Sequence, residues 1–136
     1  MRNPARNGSV SLTRGQFRYG FGSAIPADEA AELYQRWSVP SPGKPLFEAA
    51  AANFLPNSPA KGRRRQPDRG PLLLIAGGND HSVPAAVTRS TRKLSSKSPA
   101  VTDYKVFPDR GHSLTVDGGP HEVADTALAW LARHSL

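Results

Sequence analysis

The sequence predicts a mixed α/β protein in which two parallel strands with flanking helices follow an N-terminal helical segment. A continuous apolar run at residues 71–78 and an alternating apolar and polar stretch at residues 101–107 have the length and composition of strands. Stretches with apolar residues three or four positions apart, before and after the first strand, are typical of amphipathic helices. The chain of 136 residues is long enough for one domain with a modest core.

The first 55 residues predict a loose tail and a helical segment. Residues 1–9 are polar and contain glycine and proline, as chain termini often do. Residues 26–37 begin with a proline and carry two acids in the first turn, the usual start of a helix. Its predicted apolar face is formed by Ala30, Leu33, Tyr34 and Trp37. A second helix is expected behind Pro45, with a face formed by Phe47, Ala50, Ala51 and Phe54. Residues 10–55 are therefore taken as one helical segment.

A basic loop and an α/β part follow. Residues 56–70 contain three prolines, two glycines and a run of arginines without apolar periodicity, which indicates a surface loop. Residues 71–136 predict the order strand, helix, strand, helix. The run PLLLIAGG is continuously apolar, as in a strand buried on both faces of a parallel sheet, whereas VTDYKVF alternates and is expected to be less buried. A connection of this length makes neighbouring strands parallel, with a right-handed crossover.

The two helices of the α/β part have apolar faces of different strength. The first begins at Pro84, and its face is weak, running through Val87 and Leu94. The last helix has a proline near its start and a stronger face, formed by Val123, Ala127, Trp130 and Leu131. We expect both helices to pack against the sheet.

Composition limits the chemistry. The chain has no cysteine, which excludes disulfides, thiolate zinc sites and a cysteine nucleophile within these residues, and it fits a reducing compartment such as the cytoplasm. No stretch approaches the roughly 20 apolar residues of a membrane span, so a soluble protein without a membrane partner is expected. The formal net charge of +7 favours non-specific contact with polyanions and carries no information about the fold.

Polar side chains follow both predicted strands. Asp80 lies in the loop GGNDHSVP after the first strand, and His112 lies in the loop PDRGHSLTVDGG after the second. Reacting groups in open parallel sheets gather outside the carboxyl ends of the strands, so both loops open on one edge. A carboxylate there can select the tautomer of an imidazole and stabilise the imidazolium formed when the histidine takes a proton. We predict Asp80 and His112 as a catalytic pair and expect no cofactor.

These residues also have simpler interpretations. His112 could bond only to its own turn, and Asp80 could be only a turn residue. Asp80, His81 and His112 together could bind zinc, but adjacent side chains in an extended loop tend to point apart, so no metal site is predicted. His121 and His134 are expected to be solvated helix residues.

The same stretches resemble the C-terminal part of an α/β-hydrolase. In GPLLLIAGGNDHSVP, YKVFPDRGHSL and the closing VADTALAWLARH, an acid follows one strand, a histidine follows the next, and a final helix packs behind them. Residues 12–54 resemble the cap segment that these hydrolases insert before the acid-bearing strand, so the likeness covers about residues 10–136. It implies a partial α/β-hydrolase fold, hydrolysis of esters or similar acyl compounds, Asp80 as the triad acid and His112 as the triad base.

The nucleophile of that family is not found. α/β-hydrolases carry their serine in a Gly-x-Ser-x-Gly elbow after an earlier strand, and these 136 residues contain no such motif. Ser23, in YGFGSAI, comes nearest, but it lacks the closing glycine and does not follow an apolar strand. We therefore expect an inactive C-terminal part that would bind an acyl substrate only when completed by an N-terminal half. An elbow encoded upstream of Met1 would support this interpretation.

A second hypothesis is a non-catalytic interaction module. A basic run that could bind an acidic partner or nucleic acid is formed by Lys61, Arg63, Arg64, Arg65 and Arg69. No aromatic residues are interleaved for base stacking, so a solvated loop is favoured and nucleic acid is not expected. The unpaired edge of a two-stranded sheet also predicts self-association.

Overall fold

The observed architecture is mixed α/β, with a parallel pair of strands and flanking helices, as the sequence predicts. The computed structural model describes residues 8–51 and 66–136. Its N-terminal part contains, in chain order, β1 (Ser9–Val10), α1 (Arg14–Gly20), α2 (Ala27–Trp37), β2 (Ser41–Pro42) and α3 (Lys44–Ala51). Its α/β part contains β3 (Leu72–Gly77), α4 (Ala85–Ser95), β4 (Thr102–Phe107) and α5 (Pro120–Arg133).

Helix α1 was not predicted. It starts in a capping box, in which the Gln16 main-chain N–H donates to Thr13 Oγ1 at 3.3 Å and the Thr13 main-chain N–H donates to Gln16 Oε1 at 2.9 Å. Its centre is Phe17, which is buried and has an aromatic ring on either side. Phe21 stacks on it at 5.1 Å between ring centroids, and Tyr34 of α2 meets it edge-on at 5.5 Å. These contacts join α1 to α2.

The predicted apolar face of α2 holds for most of its length. Ala30 and Leu33 are buried and Tyr34 is half-buried, but Trp37 is 52% exposed. Trp37 is the last residue of the helix, and the Arg36 guanidinium lies 5.2 Å from its ring centroid, so a cation and not the core covers part of it. The face predicted for the second helix extended to Phe54, which lies outside the described residues.

Strands β3 and β4 form a parallel pair in continuous register, from Leu72 opposite Thr102 to Gly77 opposite Phe107. The predicted parallel pairing is confirmed, and α4 connects the strands and packs on both. The predicted two-sided burial of β3 is wrong for its first four residues, which are half-buried. Within the described part of the chain β3 has one strand neighbour, so no second neighbour covers its other edge.

The helices of the α/β part bury less than predicted. None of the residues of α4 is buried, and Val87 is exposed while Leu94 is half-buried. On α5, Val123 and Trp130 are buried as predicted, whereas Leu131 at the edge of the face is exposed. The buried apolar side chains of the α/β part are Val123 and Trp130 of α5, Ala76 of β3 and Phe107 at the end of β4, and a second buried group lies on α1 and α2.

The predicted basic loop lies mostly outside the described residues, and its described residues 66–70 form neither helix nor strand. In the two described ranges, no helix combines the length and the apolar character needed to cross a membrane. The division into tail, helical segment, loop and α/β part stays a prediction, as does the cytoplasmic location.

Candidate active site

Two glycines at the end of β3 allow its loop to approach the loop after β4. A Cβ atom on Gly77 would lie 2.5 Å from the carbonyl oxygen of Gly111, and one on Gly78 would overlap the main chain of Pro108. Both positions have negative φ angles, so what they require is the missing side chain and not an unusual backbone conformation. The pair of glycines is thus the sequence feature that sets the distance between the loops.

Main-chain hydrogen bonds then join the two loops directly. The N–H of Gly78 donates to the carbonyl oxygen of Phe107 at 2.8 Å, and the N–H of Asn79 donates to that of Arg110 at 2.9 Å. These bonds extend the parallel pairing past the ends of both strands. Residues 79–80 and 110–112 are consequently held side by side, at the edge where chemistry was expected.

The histidine-bearing loop is also bonded within itself, through Arg110. Its guanidinium donates to the carbonyl oxygens of Gly119 at 2.8 Å and Leu114 at 3.1 Å, and it pairs with the buried carboxylate of Asp117. Ser113 Oγ donates to the same carboxylate at 3.3 Å. Arg110 carried no sequence signal, because each of its partners is defined only once the loop has closed.

Asp80 and His112 meet as predicted. Nδ1 of His112 donates to Oδ2 of Asp80 at 2.9 Å. The other oxygen, Oδ1, accepts the main-chain N–H groups of Ser82 and Val83, both at 2.8 Å. The Asp80 side chain is 6% exposed, and that of His112 is 30% exposed. A carboxylate acceptor at Nδ1 selects the tautomer that carries its proton there and leaves the lone pair on Nε2 available for proton exchange.

The simpler interpretations describe Asp80 only in part. Asp80 does form a turn, through Oδ1, but it pairs with His112 through Oδ2 at the same time. His81 is turned to another partner, since its Nδ1 donates to the carbonyl oxygen of Tyr19 at 3.0 Å. Across residues 8–51 and 66–136, no three His, Asp or Glu side chains are grouped as a metal site would require.

The sequence profile of the dienelactone hydrolase family matches residues 39–136, a range that contains β3, β4 and both loops. The chain belongs to the dienelactone hydrolase family. This is a family of α/β-hydrolases, so the resemblance and the fold class are confirmed, and the family's function is hydrolytic. No curated protein and no solved structure matches the chain.

Ser23 lies near the Asp80–His112 pair, but its hydroxyl is bonded to the main chain and not to His112. Its Oγ donates to the carbonyl oxygen of Asn79 at 2.8 Å, so it joins the N-terminal part to the acid-bearing loop. Phe21, two residues earlier, meets the His112 ring nearly perpendicularly, with 4.6 Å between ring centroids. Phe21 was not predicted as a site residue, because it reaches His112 through a contact 91 positions away along the chain.

The two histidines that were predicted to be solvated, His121 and His134, differ in exposure. His121 is exposed, as expected. His134 follows α5 and is half-buried, not fully solvated as expected: its Nε2 donates to Oδ2 of Asp103 at 3.2 Å, and its ring packs 4.7 Å from that of Trp130. Trp130 Nε1 also donates to Asp103 Oδ2, at 2.7 Å. The pKa of Asp103 is lowered, chiefly by the hydrogen bond from Trp130 and then by the one from His134.

One member of the predicted basic run, Arg69, lies within the described residues, and it is bonded to the protein's own main chain. Arg69 donates to four main-chain carbonyl oxygens and to Thr102 Oγ1, joining the loop before β3 to the end of α4 and the start of β4. Its guanidinium therefore stabilises the fold and is not a free cation for binding a polyanion. The other members, at positions 61 and 63–65, lie outside the described residues.

Proposed function

We propose that the chain is the acid- and histidine-bearing part of a hydrolase that cleaves esters or similar acyl compounds through a Ser-His-Asp triad. His112 acts first as general base toward the serine and then as general acid toward the leaving group. Asp80 holds the imidazole in the required tautomer and stabilises the imidazolium. The serine lies in a segment that these 136 residues do not contain.

The observation that carries this proposal is the 2.9 Å hydrogen bond from His112 Nδ1 to Asp80 Oδ2 at the carboxyl ends of two adjacent parallel strands. The carboxylate is buried and accepts two main-chain N–H groups through its other oxygen, so it is fixed before any substrate arrives. Fixed orientation is what a catalytic acid–base pair needs, because small displacements of the reacting groups cost large factors in rate.

The chain by itself is proposed to be inactive. Loss of a triad serine typically costs about 10⁶ in kcat, and the main-chain donors that stabilise the oxyanion come partly from the residue after that serine. Ser23 does not replace it, since its hydroxyl donates to a main-chain carbonyl oxygen and not to His112.

The name of the family supports a proposal for the substrate class. A dienelactone is a cyclic ester, and opening it is an acyl transfer to water, the reaction that a Ser-His-Asp triad performs. We propose an ester or lactone as the substrate of the completed protein and leave the acyl group unspecified.

Extending the reading frame upstream of Met1 tests the proposal. We expect a Gly-x-Ser-x-Gly elbow after an apolar strand, and an extended protein that hydrolyses short activated esters and lactones. Asp80→Asn should then lower kcat by about 10⁴ and His112→Ala by about 10⁶. His121→Ala is the matched control, because it removes an exposed histidine of α5 and should leave kcat unchanged.

Two results would overturn the proposal. One is hydrolysis by the isolated 136-residue chain that disappears in Ser23→Ala. The other is an extended protein whose kcat is the same with and without His112. An upstream sequence without an elbow would favour the interaction module instead.

We also propose that the isolated chain self-associates through its sheet. Within the described residues the sheet has two strands, and the half-buried residues Leu72–Ile75 lie beside an edge with free main-chain donors and acceptors. Light scattering should show species larger than the monomer. A monodisperse monomer with a cooperative thermal transition would contradict this.

A further inference from the structure

A short N-terminal segment lies against both site loops. We call residues 19–23 the strap; it comprises the end of α1 and the turn after it. Three hydrogen bonds tie it to the acid-bearing loop: His81 Nδ1 donates to the carbonyl oxygen of Tyr19 at 3.0 Å, Ser82 Oγ donates to that of Gly20 at 3.0 Å, and Ser23 Oγ donates to that of Asn79 at 2.8 Å. The strap is therefore bonded on both sides of Asp80.

The strap reaches the second loop through Phe21. The Phe21 ring meets the His112 ring at an interplanar angle of 86°, with 4.6 Å between centroids, the geometry that aromatic pairs favour. Behind Phe21, the buried ring of Phe17 stacks on it at 5.1 Å and an angle of 10°. Phe21 is thus supported by the core of the N-terminal part and does not lie loosely on the surface.

Two contacts of different kinds then hold the imidazole of His112. The hydrogen bond to Asp80 fixes the position of Nδ1, and the edge-to-face contact with Phe21 opposes rotation of the ring about that bond. Phe21 also covers part of a side chain that is 30% exposed. A general base works only when its free nitrogen is directed at the proton it abstracts, so restraint of the ring plane has a direct consequence for rate.

We propose that Phe21 is a positioning residue for His112, and that the strap is a fixed cover that restrains the imidazole and limits the access of small reagents to it. This role deepens the proposed function and rests on it for its catalytic meaning. The strap lies outside residues 39–136, so the family profile does not assign it. Its three bonds all run to the acid-bearing loop, which makes strap and site one unit.

Diethyl pyrocarbonate, which acylates accessible neutral imidazoles, tests the cover on the isolated chain. The four histidines report separately by peptide mass spectrometry, and exposed His121 is the internal standard. We expect His112 to react several-fold more slowly than His121. Phe21→Leu should raise the His112 rate several-fold and leave His121 and His134 unchanged, while Phe21→Tyr should restore the slow rate.

Nuclear magnetic resonance of the same variants tests the restraint. The Phe21 ring current should shift the His112 ring protons, and Phe21→Leu should remove that shift while Phe21→Tyr retains it. The matched control is Tyr19→Leu, because Tyr19 packs on His81 with 4.6 Å between ring centroids in the same strap. Tyr19→Leu should move the His81 signals and leave those of His112 in place.

The proposal is overturned if Phe21→Leu leaves both the reactivity and the ring-proton signals of His112 unmoved. Should that variant unfold, nuclear Overhauser contacts between Phe21 and His112 in the unsubstituted chain decide, and their absence overturns the proposal. None of these readouts requires hydrolysis. If His112→Ala leaves kcat of an extended protein unchanged, the proposed function is wrong, but the contacts of the strap are unaffected. If the Phe21 contact is absent, the proposed role of Phe21 is wrong, but the expected effect of Asp80→Asn on kcat is unaffected.

Discussion

Two aspartate–histidine pairs occur in the described part of the chain, and they share the same kinds of contact but not the same place in the fold. In the first, His112 Nδ1 donates to Asp80 at 2.9 Å, and in the second, His134 Nε2 donates to Asp103 at 3.2 Å. Each histidine also packs against an aromatic ring at a similar distance, 4.6 Å from Phe21 and 4.7 Å from Trp130. Proximity of a carboxylate, an imidazole and an aromatic ring is therefore not enough to identify an active site.

The position in the fold separates the two pairs. Asp80 and His112 stand on loops after the ends of two neighbouring parallel strands, whereas Asp103 is inside β4 and His134 follows the last turn of α5. The first carboxylate side chain is 6% exposed, and the second is 49% exposed. Only the first is desolvated and bound by main-chain N–H groups on its second oxygen.

These differences match different tasks. In the Asp80–His112 pair the imidazole is bound at Nδ1 and 30% exposed at the sheet edge, as the proposed catalytic role requires. The Asp103–His134 pair, with Trp130 donating to the same oxygen, fastens α5 to β4. The active-site assignment thus depends on the strand ends and on the burial of the carboxylate.

Gly78→Ala should disrupt the Asp80–His112 pair and leave the Asp103–His134 pair intact. Among the changes that separate the two pairs, it should cause the largest loss in the free energy of unfolding. The new Cβ would overlap the main chain of Pro108, which cannot move aside like a flexible side chain. We expect a loss of about 1–3 kcal/mol in the free energy of unfolding, as for overpacked cores. Urea unfolding measures that loss, and histidine resonances should change at His112 and persist at His134.

Gly70→Ala is the matched control for this prediction. It makes the same substitution just before the same strand, and its Cβ would meet no described atom within 4 Å. We expect a change within about 0.5 kcal/mol. Equal losses in the two variants would mean that the close approach of the loops does not depend on Gly78.

Local patterns were sufficient to predict the site's framework. The apolar run ending in Gly77 and Gly78, and a connection long enough for a helix, predict two adjacent parallel strands, and adjacency alone brings Asp80 to His112. Helix α1 was missed because seven residues do not contain a full apolar repeat. Its signal was the Thr13–Gln16 spacing of a capping box, which a search for such boxes would have found.

Contacts between distant segments could not be predicted in this way. His134 was expected in solvent because its partner Asp103 lies 31 positions away, and their meeting depends on how α5 docks on β4. Phe21 was missed for the same reason. The half-burial of Leu72–Ile75 depends on how many strands flank β3, a property of the whole sheet and not of the run itself.

Asp103→Ala should break the second pair and spare the first, with a smaller effect. It leaves Nε1 of Trp130, a residue 5% exposed, without its acceptor. A buried unsatisfied donor costs about 1–3 kcal/mol, and we expect the lower end, about 1 kcal/mol, because the exposed side of the site admits water. Asp103→Asn is the control, since its amide oxygen can still accept from Trp130 and should retain most of the stability.

Tryptophan fluorescence makes this comparison specific. The chain has two tryptophans, and Trp37 is exposed, so a Trp37→Phe background leaves Trp130 as the reporter. Asp103→Ala should shift its emission, and the His112 resonances should stay where they are. An unchanged free energy of unfolding in Asp103→Ala would show that this pair does not fasten the helix.

The smallest expected effect is the pH dependence of the second pair. The hydrogen bond from Trp130, and after it that from His134, lowers the folded-state pKa of Asp103, while burial opposes the shift and the charges of His134 and Arg133 add to it. Because the folded pKa lies below the unfolded one, the ionised group contributes stability above the unfolded pKa, about 3.9, and this contribution is lost as pH falls through the folded pKa. The difference in free energy of unfolding between the unsubstituted chain and Asp103→Asn should shrink as pH falls from about 5 to below about 4, since the other carboxylates cancel in the difference. Urea titrations of both proteins at a series of pH values measure it. A difference that does not vary with pH would mean that the ionisation of Asp103 contributes nothing to the docking of α5.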